Sequence, residues 1–230
     1  MNDPRPFLQY LDEWLAGLPA RPLSELIAEP SSVAIVSVDV INGFCHEGAL
    51  ASPRVHSIID PIVRLMRQAW EGGVRHFLLT QDTHEPDAVE FGSFPAHCVR
   101  GTREAEPVPE LTGLAFFNQM HIFEKNSIDS ALGTGLDSWV DSHPEVDRYI
   151  VVGDCTDLCI YQVAMHLRLE ANARQRKRRL LLPANCVETY DLPVPVAQSI
   201  GAVPHHADLL QRVFLYSMML NGIEVVASLG

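Results

Sequence analysis

The stretch Tyr149-Ile150-Val151-Val152-Gly153-Asp154-Cys155-Thr156-Asp157-Leu158-Cys159 passes from a short apolar run through a turn into a helical pattern over residues 160–169. It reads as strand, turn and helix. In open α/β sheets ligands bind outside the carboxyl ends of the strands, and a helix N-terminus favours a thiol's anion. Cys159 is therefore the candidate nucleophile. A lone cysteine is more often a small buried hydrophobe, so the reading needs support from elsewhere in the chain.

That support comes from the other apolar runs. Residues 33–38, 74–80, 121–123, 180–182 and 223–227 have strand length, and helical patterns lie between several of them, at 55–70, 160–169 and 207–220. The alternation predicts a three-layer α/β/α domain built on a mostly parallel, doubly wound sheet of about six strands. In the 55–70 segment Ile58, Ile62, Leu65, Met66 and Ala69 recur at helical spacing, and Gly72-Gly73 stops the helix. Asp39 ends the first run and Lys125 follows the third, so parallel strands bring both toward Cys159. Taken singly, Asp39 would be a turn or capping residue and Lys125 a solvated strand end.

Bulk properties narrow the classes of function. The 230 residues suit one α/β domain and are too few for two comfortable ones. Seventeen Lys and Arg against 29 Asp and Glu leave a net charge of -12, a field that repels nucleic acid and anionic membranes. The basic cluster Arg174-Gln175-Arg176-Lys177-Arg178-Arg179 reads as a solvated helix end. No run approaches a membrane span and the first residues lack a signal-peptide core, so the expectation is a cytoplasmic protein. Five irregularly spaced cysteines argue for reduced thiols rather than a disulfide scaffold.

Two segments stand outside the α/β pattern. Residues 1–30, with Phe7, Leu8, Leu11, Trp14 and Leu15 at helical spacing, read as an N-terminal helical extension that packs on the 31–230 domain or on a partner. Residues 82–114 form an insertion with four prolines and no sustained period, and an irregular segment this long is usually functional. In it Asp82, His84, Glu90 and His97 could meet on one divalent ion, zinc, iron or manganese by ligand type. Cys98 is assigned to the core, and His205-His206 to solvent at the start of the last helix.

The chemistry open to these residues is nucleophilic. A thiol needs a base, and an amide leaving group needs the proton back; Asp39 can do both if its pKa is raised. Lys125 would hold the neighbouring charges and favour the thiolate, and main-chain amides around Cys159 would stabilise an oxyanion.

Five segments together carry a resemblance: Val38-Asp39-Val40-Ile41-Asn42-Gly43-Phe44-Cys45, Thr80-Gln81-Asp82-Thr83-His84, Phe94-Pro95-Ala96-His97-Cys98-Val99-Arg100-Gly101-Thr102, Glu124-Lys125, and Gly153 to Cys159. In this order the chain resembles the isochorismatase-like cysteine hydrolases, and within them the nicotinamidases. The resemblance implies catalytic Asp39, Lys125 and Cys159, and a single divalent metal, zinc foremost, on Asp82, His84 and His97 with Glu90 as the further ligand. It also implies a cis peptide between Asp154 and Cys155 that forms the oxyanion site with Cys159, and a substrate ring sandwiched by Phe44 and Phe94. The implied substrate is a small pyridine carboxamide, and the implied assembly a homo-oligomer.

The chain also departs from the pattern. Gly43 stands where many members have aspartate, Phe94 where nicotinamidases often have tryptophan, and Asp154 replaces an apolar residue, so Asp154 joins the candidate substrate-binding residues. Alternatives are another small amide, carbamoyl or ureido substrate, a catalytically silent binding subunit, or a metallohydrolase in which Cys159 is structural.

Overall fold

The computed structural model describes residues 3–230. Its strands are β1 (Ala20–Arg21), β2 (Val33–Val38), β3 (His76–Asp82), β4 (His121–Lys125), β5 (Arg148–Asp154), β6 (Arg179–Pro183), β7 (Val187–Glu188), β8 (Glu224–Val226) and β9 (Ser228–Leu229). Its helices are α1 (Arg5–Ala16), α2 (Leu23–Leu26), α3 (Asn42–Cys45), α4 (Pro53–His56), α5 (Ile59–Glu71), α6 (Pro109–Thr112), α7 (Leu136–Ser142), α8 (Cys159–Ala173), α9 (Val194–Ile200) and α10 (Ala207–Leu220).

Seven strands form the main sheet in the order β4-β3-β2-β5-β6-β8, with β7 paired to the end of β5 and every pair parallel. The chain moves outward from β2 through β3 to β4, then returns to β5 and moves out the other way. The crevice between the carboxyl ends of β2 and β5 is thus the topological switch point, where α/β sheets bind ligands.

Why this sheet is buried on both faces follows from alternation along its strands. Ile35, Phe77, Leu79, Ile150, Val152 and Leu181 pack into one core with α5, whose Ile59, Ile62, Val63, Leu65, Met66 and Ala69 are buried. Ala34, Val36, Val38, Leu78, Tyr149, Val151 and Leu180 enter the opposite core with α7, α8 and α10. Strands covered on both faces are near-continuous apolar runs, which is how residues 33–38 and 149–152 read. Each buried Ile or Leu contributes about 1.5–3 kcal/mol.

Several expected boundaries moved for identifiable reasons. The helix expected over 55–70 is two helices, α4 and α5, separated at Ser57 and Ile58. A continuous helix would press the Pro61 ring against the carbonyl of Ser57. The strand expected over 74–80 lies two residues later: the Val74 N–H closes α5 onto the Ala69 carbonyl, and Asp82 is drawn into register with Lys125 of β4. The insertion is fastened by a parallel bridge of His84 with Val99 and an antiparallel bridge of Ile41 with Pro107.

The N-terminal extension packs on its own domain. Phe7, Tyr10 and Trp14 of α1 meet Tyr216 of α10 edge-on, Leu11 is buried, and Asp12 pairs with Arg212. Beyond it, β1 pairs with β9 in a separate two-stranded sheet. No helix among the described residues is long and apolar enough to cross a membrane.

Candidate active site

Four strand ends deliver the site. Asp39 follows β2 in a left-handed conformation, φ 54°, which a non-glycine residue rarely adopts and which is common at functional positions. Its N–H donates to the Thr80 carbonyl at 2.8 Å, and its Oδ1 accepts from the Asp82 N–H at 2.7 Å. Lys125, last in β4, places Nζ 2.9 Å from Asp39 Oδ2, within hydrogen-bonding distance of Asp82 Oδ1, and 3.5 Å from Cys159 Sγ. Far from being a solvated strand end, Lys125 is 1% exposed. Two carboxylates offset the desolvation that would otherwise make a buried ammonium untenable.

Cys159 opens α8, and the turn before it depends on Gly153. That residue has φ 119°, and a Cβ there would lie 1.9 Å from the Val38 carbonyl oxygen of β2. Only glycine lets the ends of β5 and β2 approach so closely. The Asp154–Cys155 peptide is cis, and the Leu158 and Ile160 amides both donate to the Cys155 carbonyl, at 3.0 and 3.1 Å, winding the turn into α8. Gly43 is likewise dictated by packing, since a Cβ there would stand 2.5 Å from Cys98 Sγ.

Electrostatics divide the roles. Burial, then the charge on Asp82, raises Asp39 to about 6 against the pull of Lys125. Asp82 goes the other way: burial would raise it, yet Lys125 and the two histidines hold it well below the usual carboxylate range. Cys159 departs from the expectation of a depressed pKa. Burial pushes the thiol well above its ordinary value, and Lys125 only partly opposes this. At rest the group is a neutral thiol, and the neighbouring Asp39 carboxylate is placed to accept its proton.

The second constellation also assembles. Ligand atoms of Asp82, His84 and His97, all buried, lie within 4.8 Å of one another. His84 Nε2 is 3.4 Å from Asp82 Oδ1, and His97 Nε2 is 3.8 Å from Asp82 Oδ2. Donors around a tetrahedral ion with bonds near 2.1 Å stand roughly 3.4 Å apart, so the set fits a small divalent cation. The tautomers fit as well. Asn126 Oδ1 already accepts the Glu85 N–H at 3.0 Å and sits 3.2 Å from His84 Nδ1, so this nitrogen donates to it. His97 Nδ1 donates to the Pro95 carbonyl at 2.8 Å. Each ring therefore turns Nε2 inward, and His84 Nε2 is a buried nitrogen with no hydrogen-bond partner among the described residues. Glu90 stands at the edge, with Oε1 3.9 Å from His84 Nε2 and outside the tight group of three.

Between the two constellations lies a narrow cavity lined by Phe44, Phe94, Glu90, Asp82, His97, Asp154, Cys155, Cys159, Leu50, Ile128, Leu158 and Tyr190. Every expected substrate-lining residue borders it. Three contributors were not anticipated: Asn126, which sets the His84 tautomer, Tyr190 and His205. Asn126 was signalled by its place directly after Lys125. His205 corrects the expectation of a solvated residue: it is 8% exposed, with Nε2 2.8 Å from Asp157 Oδ2, Nδ1 2.7 Å from the Tyr190 carbonyl, and its ring stacked on Tyr190 at 3.9 Å. The antiparallel bridge of Leu192 with His205 turns it inward, while His206 stays exposed and caps α10.

Comparison with known proteins agrees with this fold. Residues 33–190 match the isochorismatase domain. A nicotinamidase of Arabidopsis thaliana is 30% identical over 225 residues, covering 89% of each chain. Among solved structures, a cysteine hydrolase from Pseudomonas syringae superposes with a TM-score of 0.70 at 20% identity, covering 86% of this chain and 89% of that one. A pyrazinamidase of Pyrococcus horikoshii in complex with zinc gives 0.65 at 22% identity, covering 85% and 98%.

Proposed function

The chain belongs to the isochorismatase family, and on that premise we propose that it is a cysteine hydrolase that converts nicotinamide to nicotinate and ammonia. The observation that carries this reading is the buried contact of Lys125 with both Asp39 and Cys159 at the switch point of the sheet. Cys159 Sγ attacks the carboxamide carbon while Asp39 takes the thiol proton. Main-chain amides of Cys155 and Cys159 hold the oxyanion. Collapse breaks the C–N bond, and Asp39 returns the proton to the departing nitrogen, leaving a thioester and ammonia. Water, deprotonated by Asp39, then attacks the thioester; nicotinate leaves and the thiol is restored.

Asp82, His84 and His97, with Glu90 beside them, would hold one divalent ion, zinc foremost, with iron and manganese as alternatives. Such an ion supplies a Lewis-acidic anchor for the ring nitrogen, directly or through water. Phe44 and Phe94 would close on the ring. We read the protein as cytoplasmic, a reading supported by five free cysteines, and as a homo-oligomer acting on a small molecule, with no nucleic-acid or membrane partner. A second reading keeps the same triad for another small amide, carbamoyl or ureido compound; the carboxyl of Asp154 in the cavity favours it.

The deciding experiment is ammonia release from nicotinamide by the zinc-loaded protein beside Cys159→Ala and a chelated sample. The expected result is loss of turnover by at least about four orders of magnitude in Cys159→Ala with metal content unchanged. Retained turnover in Cys159→Ala with loss in His84→Ala would instead make the protein a metallohydrolase.

A further inference from the structure

Asp154 is the last residue of β5 and is 0% exposed, yet it borders the substrate cavity. Among the described residues its Oδ1 meets only the Cys155 thiol, at 3.7 Å, and its Oδ2 has no hydrogen-bond partner. No cation among them neutralises it, because the buried ammonium nearby, Lys125, is engaged by Asp39 and Asp82. A buried carboxylate in this position would be an uncompensated charge. Burial first, and then the negative charge of Asp39, push its pKa well above the carboxylate range, against the pull of Lys125. The group is thus a neutral carboxylic acid, one O–H donor beside one carbonyl acceptor.

Nicotinamide has no polar group beyond its ring nitrogen and its carboxamide. With the first assigned to the Asp82, His84 and His97 cluster and the second to Cys159 and the turn, as proposed above, it has nothing left to pair with Asp154. Resting on the amide-hydrolase reading above, we infer that Asp154 is a specificity-determining residue, whose unpartnered oxygen selects an aromatic carboxamide bearing a second hydrogen-bonding substituent, a hydroxyl or amino group on the ring. Sites built around a buried polar group reject ligands that leave it unpaired.

The test compares kcat/KM for nicotinamide with that for the positional isomers of hydroxy- and aminonicotinamide, in the zinc-loaded native protein, Asp154→Asn and Asp154→Val. The native enzyme is expected to favour one substituted isomer over nicotinamide by roughly tenfold or more. Asp154→Asn, which keeps a donor and an acceptor in the same shape, should retain most of that preference. Asp154→Val should erase it and turn nicotinamide over faster than the native enzyme does. Infrared difference spectra of native protein against Asp154→Asn at neutral pH should contain the carbonyl band of a protonated carboxylic acid. Turnover of nicotinamide with no preferred isomer, a preference that survives in Asp154→Val, or absence of that band overturns the inference while leaving the amidase reading intact. Failure of the native enzyme on every carboxamide in the panel overturns both.

Discussion

Asp39 and Cys159 are both buried, one an acid lifted to about 6 and the other a thiol held protonated, and the proposed reaction passes the proton between them. The sign of the pH dependence follows. Below about 6 Asp39 takes up a proton and can no longer accept one from the thiol, so kcat/KM for the amide should fall as pH drops through that value. Asp39→Asn should remove the acid limb together with at least about 100-fold of the rate, measured as ammonia release across pH. Asp39 and Lys125 were legible only together with Cys159, as three parallel strand ends that converge and as parts of the family motifs; taken singly, each read as a turn residue or a solvated strand end. The resting state of Cys159 was not: helix dipole and lysine argue for a thiolate, and burial first, then the charges of Asp39 and Asp82, decide against it.

Among the elements, the segment from β7 to α10 carries a device invisible in the linear order. His205 joins Asp157 of the nucleophile turn to Tyr190 of the cavity wall, and Thr189 Oγ1 donates to the other Asp157 oxygen at 2.6 Å. Burial would raise Asp157, but His205 and Thr189 outweigh it and depress its pKa. A depressed acid contributes stability above its unfolded pKa of about 3.9, and that contribution disappears as pH falls through the lower folded value. His205→Ala should cost about 3 kcal/mol in urea unfolding at neutral pH, and the gap from native should narrow in strong acid. Asp157→Asn should be no worse when added to it. Nothing in the sequence ties His205 to Asp157, since the pairing needs the Leu192 bridge. The α4–α5 break has a local signal in Pro61 that the expectation of one helix over residues 55–70 passed over, whereas two-residue strands such as β1, β7 and β9 carry no period to read.

At the scale of the whole molecule, the sheet order places everything on one rim, and the insertion adds the ligand set to it. If Asp82, His84 and His97 hold an ion only when folded, zinc at 100 times its dissociation constant should stabilise the protein by about 2.7 kcal/mol, raising the melting temperature by a few degrees. His84→Ala should abolish that shift without unfolding the chain, and a zinc-independent melting curve in the native protein would remove the metal from the account. The architecture and the convergence of Asp39, Lys125 and Cys159 were readable because alternation and strand ends are local signals. What closes the cavity comes from residues far apart in the chain, which no local pattern reports.

The contact of α1 with α10 and the pairing of β1 with β9 join segments far apart in the chain. On a ribosome, Phe7, Tyr10 and Trp14 emerge without the surface they will cover, and they wait through the synthesis of the whole central sheet for Tyr216 and then Ser228 and Leu229 to appear. The central strands can pair before this outer clasp does, because its second half is made after them. Until α10 is made the nascent chain carries an uncovered aromatic stripe, which makes α1 its natural point of contact with chaperones.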